Sequence, residues 1–116
     1  MTATKKVLIV EDEPLIAMMI ENFLEALDHE VAGVADSVKS AIDIIALGGV
    51  EVAILDRNLR AGETSVPIAE ELERLGIPFI VASGGGIAED PPVFCGRPVL
   101  PKPFTLSSME KVLDAL

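Results

Sequence analysis

The sequence predicts an α/β fold in which five short strands alternate with helices and form a doubly wound, open parallel sheet. Three observations predict it. Short apolar runs recur along the 116 residues, amphipathic stretches with helical spacing separate them, and the runs stop at polar or charged residues. Continuous apolar runs are typical of strands that are covered by helices on both faces.

The first half of the chain contains three predicted strands, at residues 7–10, 31–35 and 52–55. Pro14 fits the first turn of the first helix, where a missing N–H costs nothing. Asp36 or Ser37 can cap the second helix, which Gly48-Gly49 ends. The apolar stripe of the first helix comprises Leu15, Ile16, Met19, Ile20, Phe23, Leu24 and Leu27, and that of the second comprises Val38, Ala41, Ile42 and Ile45.

The second half begins with a predicted loop at residues 58–65 and a third helix that Gly76 closes. Further strands are predicted at residues 79–82 and 99–100. The segment between them contains four glycines and Pro91-Pro92, so we expect its helix to be short or irregular. Thr105 can cap the last helix. The inward residues are Ile68, Ala69, Leu72 and Leu75 in the third helix and Leu106, Met109, Leu113 and Leu116 in the last.

Composition excludes several classes of function. The net charge of −10 repels nucleic acid and anionic membranes, so we expect neither as a partner. No apolar run approaches the roughly 20 residues that span a bilayer, and we expect a cytoplasmic protein. One cysteine and one histidine argue against a zinc site of the usual kind. His29 lies between polar neighbours and is expected in a surface turn. The whole chain, residues 1–116, is expected to form one domain without an output domain.

The side chains that could take part in binding or catalysis follow the predicted strands directly. Glu11 and Asp12 follow the first strand, Asp56 the third, Ser83 the fourth and Lys102 the fifth. Ligands of open α/β sheets bind outside the carboxyl ends of the strands, where these side chains would meet. Three carboxylates repel one another unless a cation is present, and oxygen ligands favour Mg²⁺. A lysine ammonium is suited to pair with a phosphate oxygen. Together these residues therefore predict a site at which a phosphoryl group is transferred to a carboxylate.

Four motifs in this order resemble the receiver domain of two-component response regulators, over essentially the whole chain. They are Glu11-Asp12, Leu55-Asp56-Arg57-Asn58-Leu59, Ala82-Ser83-Gly84 and Pro101-Lys102-Pro103-Phe104. The resemblance implies a flavodoxin-like (βα)5 fold with strand order 2-1-3-4-5. The run from Pro78 to Gly84 resembles the motif of the FAT GUY single-domain subclass of α-proteobacteria, although the later aromatics of that motif are absent. Val99 stands where receivers commonly carry an aromatic switch residue.

The resemblance also implies a role for each site residue. Asp56 would be the phosphoacceptor, and Asp12, Asp56 and the backbone carbonyl of Asn58 would bind Mg²⁺. Glu11 would act on the ion through water, Ser83 would hydrogen-bond the phosphoryl group, and Lys102 would pair with it. A sensor histidine kinase or a histidine phosphotransfer protein would be the donor, and an unidentified downstream protein would receive the signal. The chain would be a signalling phosphoacceptor that assists its own phosphorylation and dephosphorylation, rather than a metabolic enzyme.

Other interpretations of the same residues remain open at this point. The chain could be a degenerate receiver that only mediates protein contacts, or a flavin binder with the same sheet. Glu11 could mainly cap the helix that follows it, and Ser83 could be an ordinary turn residue. The absence of Trp and Tyr disfavours the flavin binder, because neither is available to stack on the ring.

Overall fold

The computed structural model describes residues 4–57, 59, 63–83, 92–94, 97–101 and 104–115. Within these ranges one sheet contains five parallel strands in the order β2-β1-β3-β4-β5. The strands are β1 (Lys6–Val10), β2 (Glu30–Ala35), β3 (Val52–Asp56), β4 (Phe79–Ser83) and β5 (Val99–Pro101). The predicted fold class and strand order are confirmed.

In the described part of the chain four α-helices connect or follow the strands: α1 (Pro14–Ala26), α2 (Val38–Ala46), α3 (Val66–Arg74) and α4 (Leu106–Asp114). Ser37 and Thr105 cap α2 and α4, each in a capping box with the serine three residues later. Between β4 and β5 the described residues form only a 3₁₀ helix, Pro92–Phe94. The expectation of a short or irregular helix is met by that part of the connection, and residues 84–91 and 95–96 lie outside the described residues.

The core has two halves, one on each face of the sheet. Leu8 and Val10 of β1 point to the half shared with α2 and α3, whereas Val7 and Ile9 point to the half shared with α1 and α4. This alternation follows from the period of two residues along a strand. Each fully buried aliphatic side chain contributes about 1.5–3 kcal/mol, so the two halves together fix the helices against the sheet.

Three leucines assigned to the core by their helical spacing are exposed. Leu75, the residue that follows α3, is 44% exposed. Leu15 is 78% exposed, because it lies two residues, or about 200°, from Ala17 in the buried stripe of α1. Leu106 is 42% exposed at the first position of α4. Leu116, also predicted to point inward, lies outside the described residues.

The predicted surface position of His29 is wrong, because its side chain is only 8% exposed. The imidazole Nδ1 accepts a hydrogen bond of 3.0 Å from the backbone N–H of Lys5. Burial, together with the charge of Lys5, lowers the pKa of His29 below its ordinary value of 6.5. The neutral ring is therefore part of the packing between the start of β1 and the end of α1.

Helices α1 and α3 end in the same way, with a residue in the left-handed region. Asp28 has a φ of 64° and Gly76 a φ of 73°. In each case the next N–H bonds back to a carbonyl five residues earlier, as in His29 to Leu24 at 2.8 Å. Glycine adopts this conformation without strain, whereas aspartate does so at some expense.

None of the helices in the described ranges combines the length and the apolar character that crossing a membrane requires.

Candidate functional site

The carboxyl ends of the strands meet at one edge of the sheet, and the register decides which side chains come together. Val10, the last residue of β1, pairs with Leu55 of β3. Glu11 and Asp56 are the next residues on their strands, so both reach the edge at the same level. Asp56 in turn pairs with Ala82, one residue before the end of β4.

Three carboxylates form a cluster at this edge. Glu11, Asp12 and Asp56 each offer an oxygen, and these oxygens all lie within 4.8 Å of one another. Glu11 is almost completely buried, at 3% exposure, whereas Asp12 and Asp56 are half-buried. The predicted meeting of these three residues is therefore observed.

Glu11 has local contacts as well as a place in the cluster. Its backbone N–H donates to the carbonyl of Ala35 at 2.9 Å, which ties the end of β1 to the end of β2. Its Oε2 accepts from the N–H of Glu13, the residue that precedes α1, at 3.3 Å. The turn between β1 and α1 is thus organised around the Glu11 carboxylate, and the two interpretations of this residue, structural and chemical, are compatible.

A cavity of about 280 Å³ opens beside the cluster, between the start of α1, the end of β2 and the start of α2. The residues that line it are Glu11, Asp12, Pro14, Ala17, Val34, Asp36 and Ser40. Asp36 and Ser40 were not among the predicted site residues. Asp36 follows β2 directly, so the rule that ligands bind at strand ends could have found it.

The remaining predicted site residues are only partly described. Ser83 is the last residue of β4 and pairs with Pro101, which places its backbone at the same edge of the sheet. Asn58 and Lys102 lie outside the described residues. The roles predicted for these three residues remain predictions.

The donor set fits a hard divalent cation. All three clustered side chains offer carboxylate oxygens, which are the ligands that Mg²⁺ prefers. Three negative charges at this separation, one of them nearly buried, repel one another, and a divalent cation offsets that repulsion. The described part of the edge is therefore suited to bind a divalent cation.

A comparison with models of known protein families identifies the family of this chain. The family model described as "Response regulator receiver domain" matches residues 7–91 of this chain. The chain belongs to the response regulator receiver family. The match contains the three clustered carboxylates and four of the five strands.

Solved structures of similar proteins support the assignment of this chain to the receiver family. SdrG from Sphingomonas melonis Fr1 is 50% identical over 99% of this chain and 98% of that chain, with a TM-score of 0.87. A BeF3-activated conformation of SdrG, from Pseudomonas melonis Fr1, is also 50% identical over the same shares, with a TM-score of 0.84.

The phyllosphere-induced regulator PhyR of Methylorubrum extorquens is similar over a shorter stretch. It is 51% identical over 39 residues, which make up 34% of this receiver domain. The matched stretch is 15% of the length of PhyR, so the similarity concerns a small part of that protein.

Proposed function

We propose that this receiver domain is a phosphoacceptor of two-component signalling and takes a phosphoryl group onto Asp56. The observation that carries the proposal is the cluster of the Asp56 carboxylate with those of Glu11 and Asp12 at the carboxyl edge of the sheet. The BeF3-activated conformation described for SdrG, at 50% identity, supports it further. The proposed donor is a phosphorylated histidine of a sensor histidine kinase or of a histidine phosphotransfer protein.

In the proposed reaction an oxygen of Asp56 forms a bond to phosphorus while the bond from phosphorus to the donor nitrogen breaks, which gives an acyl phosphate. Asp12, Asp56 and the carbonyl of Asn58 would hold Mg²⁺ directly and Glu11 would hold it through water, and the ion would supply positive charge to the phosphoryl oxygens. Ser83 would donate a hydrogen bond to one of these oxygens, and Lys102 would pair with another. Attack of water on phosphorus would later release inorganic phosphate and restore the carboxylate.

The proposed output is binding to another protein that depends on the phosphorylation state, or transfer of the phosphoryl group along a relay. The exchange is proposed to take place in the cytoplasm, where the kinase domains that phosphorylate receivers are found. A net charge of −10 favours a partner whose contacting surface is basic.

Intact-mass spectrometry after incubation with acetyl phosphate and Mg²⁺ tests the proposal. In this reaction the Asp56 oxygen displaces acetate from phosphorus. The wild type should gain the mass of one phosphoryl group, and Asp56→Asn should gain none, because an amide is a much weaker nucleophile than a carboxylate.

Asp43→Asn is the matched control, because Asp43 is an exposed aspartate on α2 whose ion pair with Lys39, at 3.2 Å, lies on the surface. It should be labelled like the wild type. Equal labelling of Asp56→Asn and the wild type would assign the phosphoryl group to another residue. An unlabelled wild type would favour a receiver that only mediates protein contacts.

A further inference from the structure

The connection from β3 to α3 contains a buried serine that the proposed reaction does not use. Among the residues that the structure describes, three buried side chains are polar or charged: those of Glu11, His29 and Ser65. Glu11 belongs to the carboxylate cluster, and His29 packs against the start of β1. Ser65 is completely buried, and a buried hydroxyl is normally kept because it makes a specific hydrogen bond.

Ser65 occupies the N-cap position of α3, yet its hydroxyl makes no capping bond to that helix. Its hydroxyl donates instead to the backbone carbonyl of Arg57, at 3.3 Å, and its backbone N–H donates to the same oxygen at 3.0 Å. Ser37 and Thr105, at the corresponding positions of α2 and α4, do cap their helices. The hydroxyl of Ser65 therefore hydrogen-bonds to the connection that precedes α3, and it does not cap that helix.

The carbonyl that Ser65 holds is one residue away from the phosphoacceptor. Arg57 follows Asp56 directly, and its carbonyl belongs to the peptide group that leads into residue 58. Upstream, Leu55 pairs with Val81 of β4, and Asp56 itself pairs with Ala82. Two donors on the Arg57 carbonyl fix the chain downstream, so the backbone of Asp56 lies between two anchors.

The same connection is fastened at two further points. The side chain of Leu59 is buried in the core half beneath α2 and α3, and its N–H donates to the carbonyl of Glu63 at 2.7 Å. The carboxylate of Glu63 accepts from the N–H of Val38, the first residue of α2, at 3.1 Å. These contacts hold the outer part of the connection, whereas Ser65 acts on the residue next to Asp56.

We propose that Ser65 is a positioning residue for phosphoryl transfer: by holding the Arg57 carbonyl, it fixes the Asp56 carboxylate and the following peptide in the geometry that the reaction requires. This inference rests on the proposed function of Asp56. Transfer to a carboxylate depends on alignment of the reacting atoms, and small displacements lower the rate strongly. Removal of the hydroxyl leaves the N–H of Ser65 on the carbonyl, so the fold is retained while the alignment loosens.

The test compares Ser65→Ala with Ser108→Ala in rates of phosphoryl uptake from acetyl phosphate over a Mg²⁺ titration. Ser108 is the matched control, because it also loses a hydroxyl that hydrogen-bonds near a helix start, in the capping box of α4. Ser65→Ala should lower the maximal rate at saturating Mg²⁺ about three- to tenfold, the effect of losing one neutral hydrogen bond. Ser108→Ala should keep the wild-type rate, although both variants should lower the melting temperature by similar amounts.

A second substitution and a second measurement separate positioning from stability. Ser65→Thr keeps the hydroxyl and should recover most of the rate. Nuclear magnetic resonance of the beryllofluoride complex should show weaker binding of this phosphoryl mimic to Ser65→Ala than to Ser108→Ala.

Equal rates and equal beryllofluoride affinity for Ser65→Ala and Ser108→Ala, with a labelled wild type, would overturn the role of Ser65 and leave Asp56 as the phosphoacceptor. A wild type that takes up no phosphoryl group would overturn the proposed function and this inference together.

Discussion

Neutralisation of Asp56 should stabilise the fold when Mg²⁺ is absent. Asp56→Asn keeps the shape of the side chain and removes one of three charges whose oxygens lie within 4.8 Å of one another. Two unit charges at that separation repel by about 0.9 kcal/mol in bulk water and by about 3.5 kcal/mol at an effective dielectric constant of 20. Asp56 has two such neighbours, but solvent reaches Asp12 and Asp56. We therefore expect the free energy of unfolding to rise by about 1–2 kcal/mol, or the melting temperature by about 4–8 °C.

Thermal unfolding followed by circular dichroism is the suitable assay, because the chain has no Trp or Tyr whose fluorescence could report unfolding. At low ionic strength with a chelator, Asp56→Asn should melt above the wild type, and the exposed Asp43→Asn should change the melting temperature little. Added Mg²⁺ should raise the melting temperature of the wild type more than that of Asp56→Asn, because it binds the folded cluster. A Mg²⁺-free Asp56→Asn protein that melts at or below the wild-type temperature would refute the reasoning from charge repulsion.

Two further predictions concern helix ends and a buried histidine. Gly76→Ala should lower the free energy of unfolding by about 1 kcal/mol. The cause would be backbone strain at positive φ and not a steric clash, because a Cβ at residue 76 would meet no atom within 4 Å. Asp28→Gly should raise the free energy of unfolding by a similar amount, because it removes the same strain. Denaturant titrations measure the free energy of unfolding of both variants. If the two substitutions changed it in the same direction, backbone strain at positive φ would not be the cause. The lowered pKa of His29 means that the unfolded chain binds the proton more readily. The stability due to the neutral ring is therefore present above pH 6.5 and is lost as the pH falls through the lowered pKa of the folded state. Denaturant titrations at several pH values below 7.5 should show this loss of stability in the wild type and not in His29→Gln. If the free energy of unfolding of the two proteins changed with pH in the same way, the prediction would be wrong.

Much of the fold is predictable from the sequence because local signals and the sheet agree. The apolar runs that stop at Glu11 and Asp56 mark the ends of β1 and β3, and Ser37 and Thr105 are observed as helix caps. The exposed Leu15 shows the limit of periodicity. A leucine at a helix start fits an apolar stripe in sequence, but the sheet beneath decides which stripe is buried.

The candidate site is predictable where it depends on strand ends and unpredictable where it depends on contacts between distant residues. The cluster of Glu11, Asp12 and Asp56 follows from the strand-end rule. The hydrogen bond from Lys5 to His29 joins residues 24 positions apart, and polar neighbours in sequence give no hint of it. The bond from Ser65 to Arg57 is equally hidden, because a serine before a helix ordinarily indicates a cap.

The pairing of β1 with β3 also bears on how the chain folds. Glu11 and Asp56 are 45 positions apart in the sequence, and they come together when Val10 aligns with Leu55. The carboxylates therefore first meet when the two central strands acquire their register, and their repulsion opposes that event and not the formation of the individual helices. We therefore expect divalent cations in the refolding buffer to speed the pairing of β1 with β3, and not the formation of the individual helices.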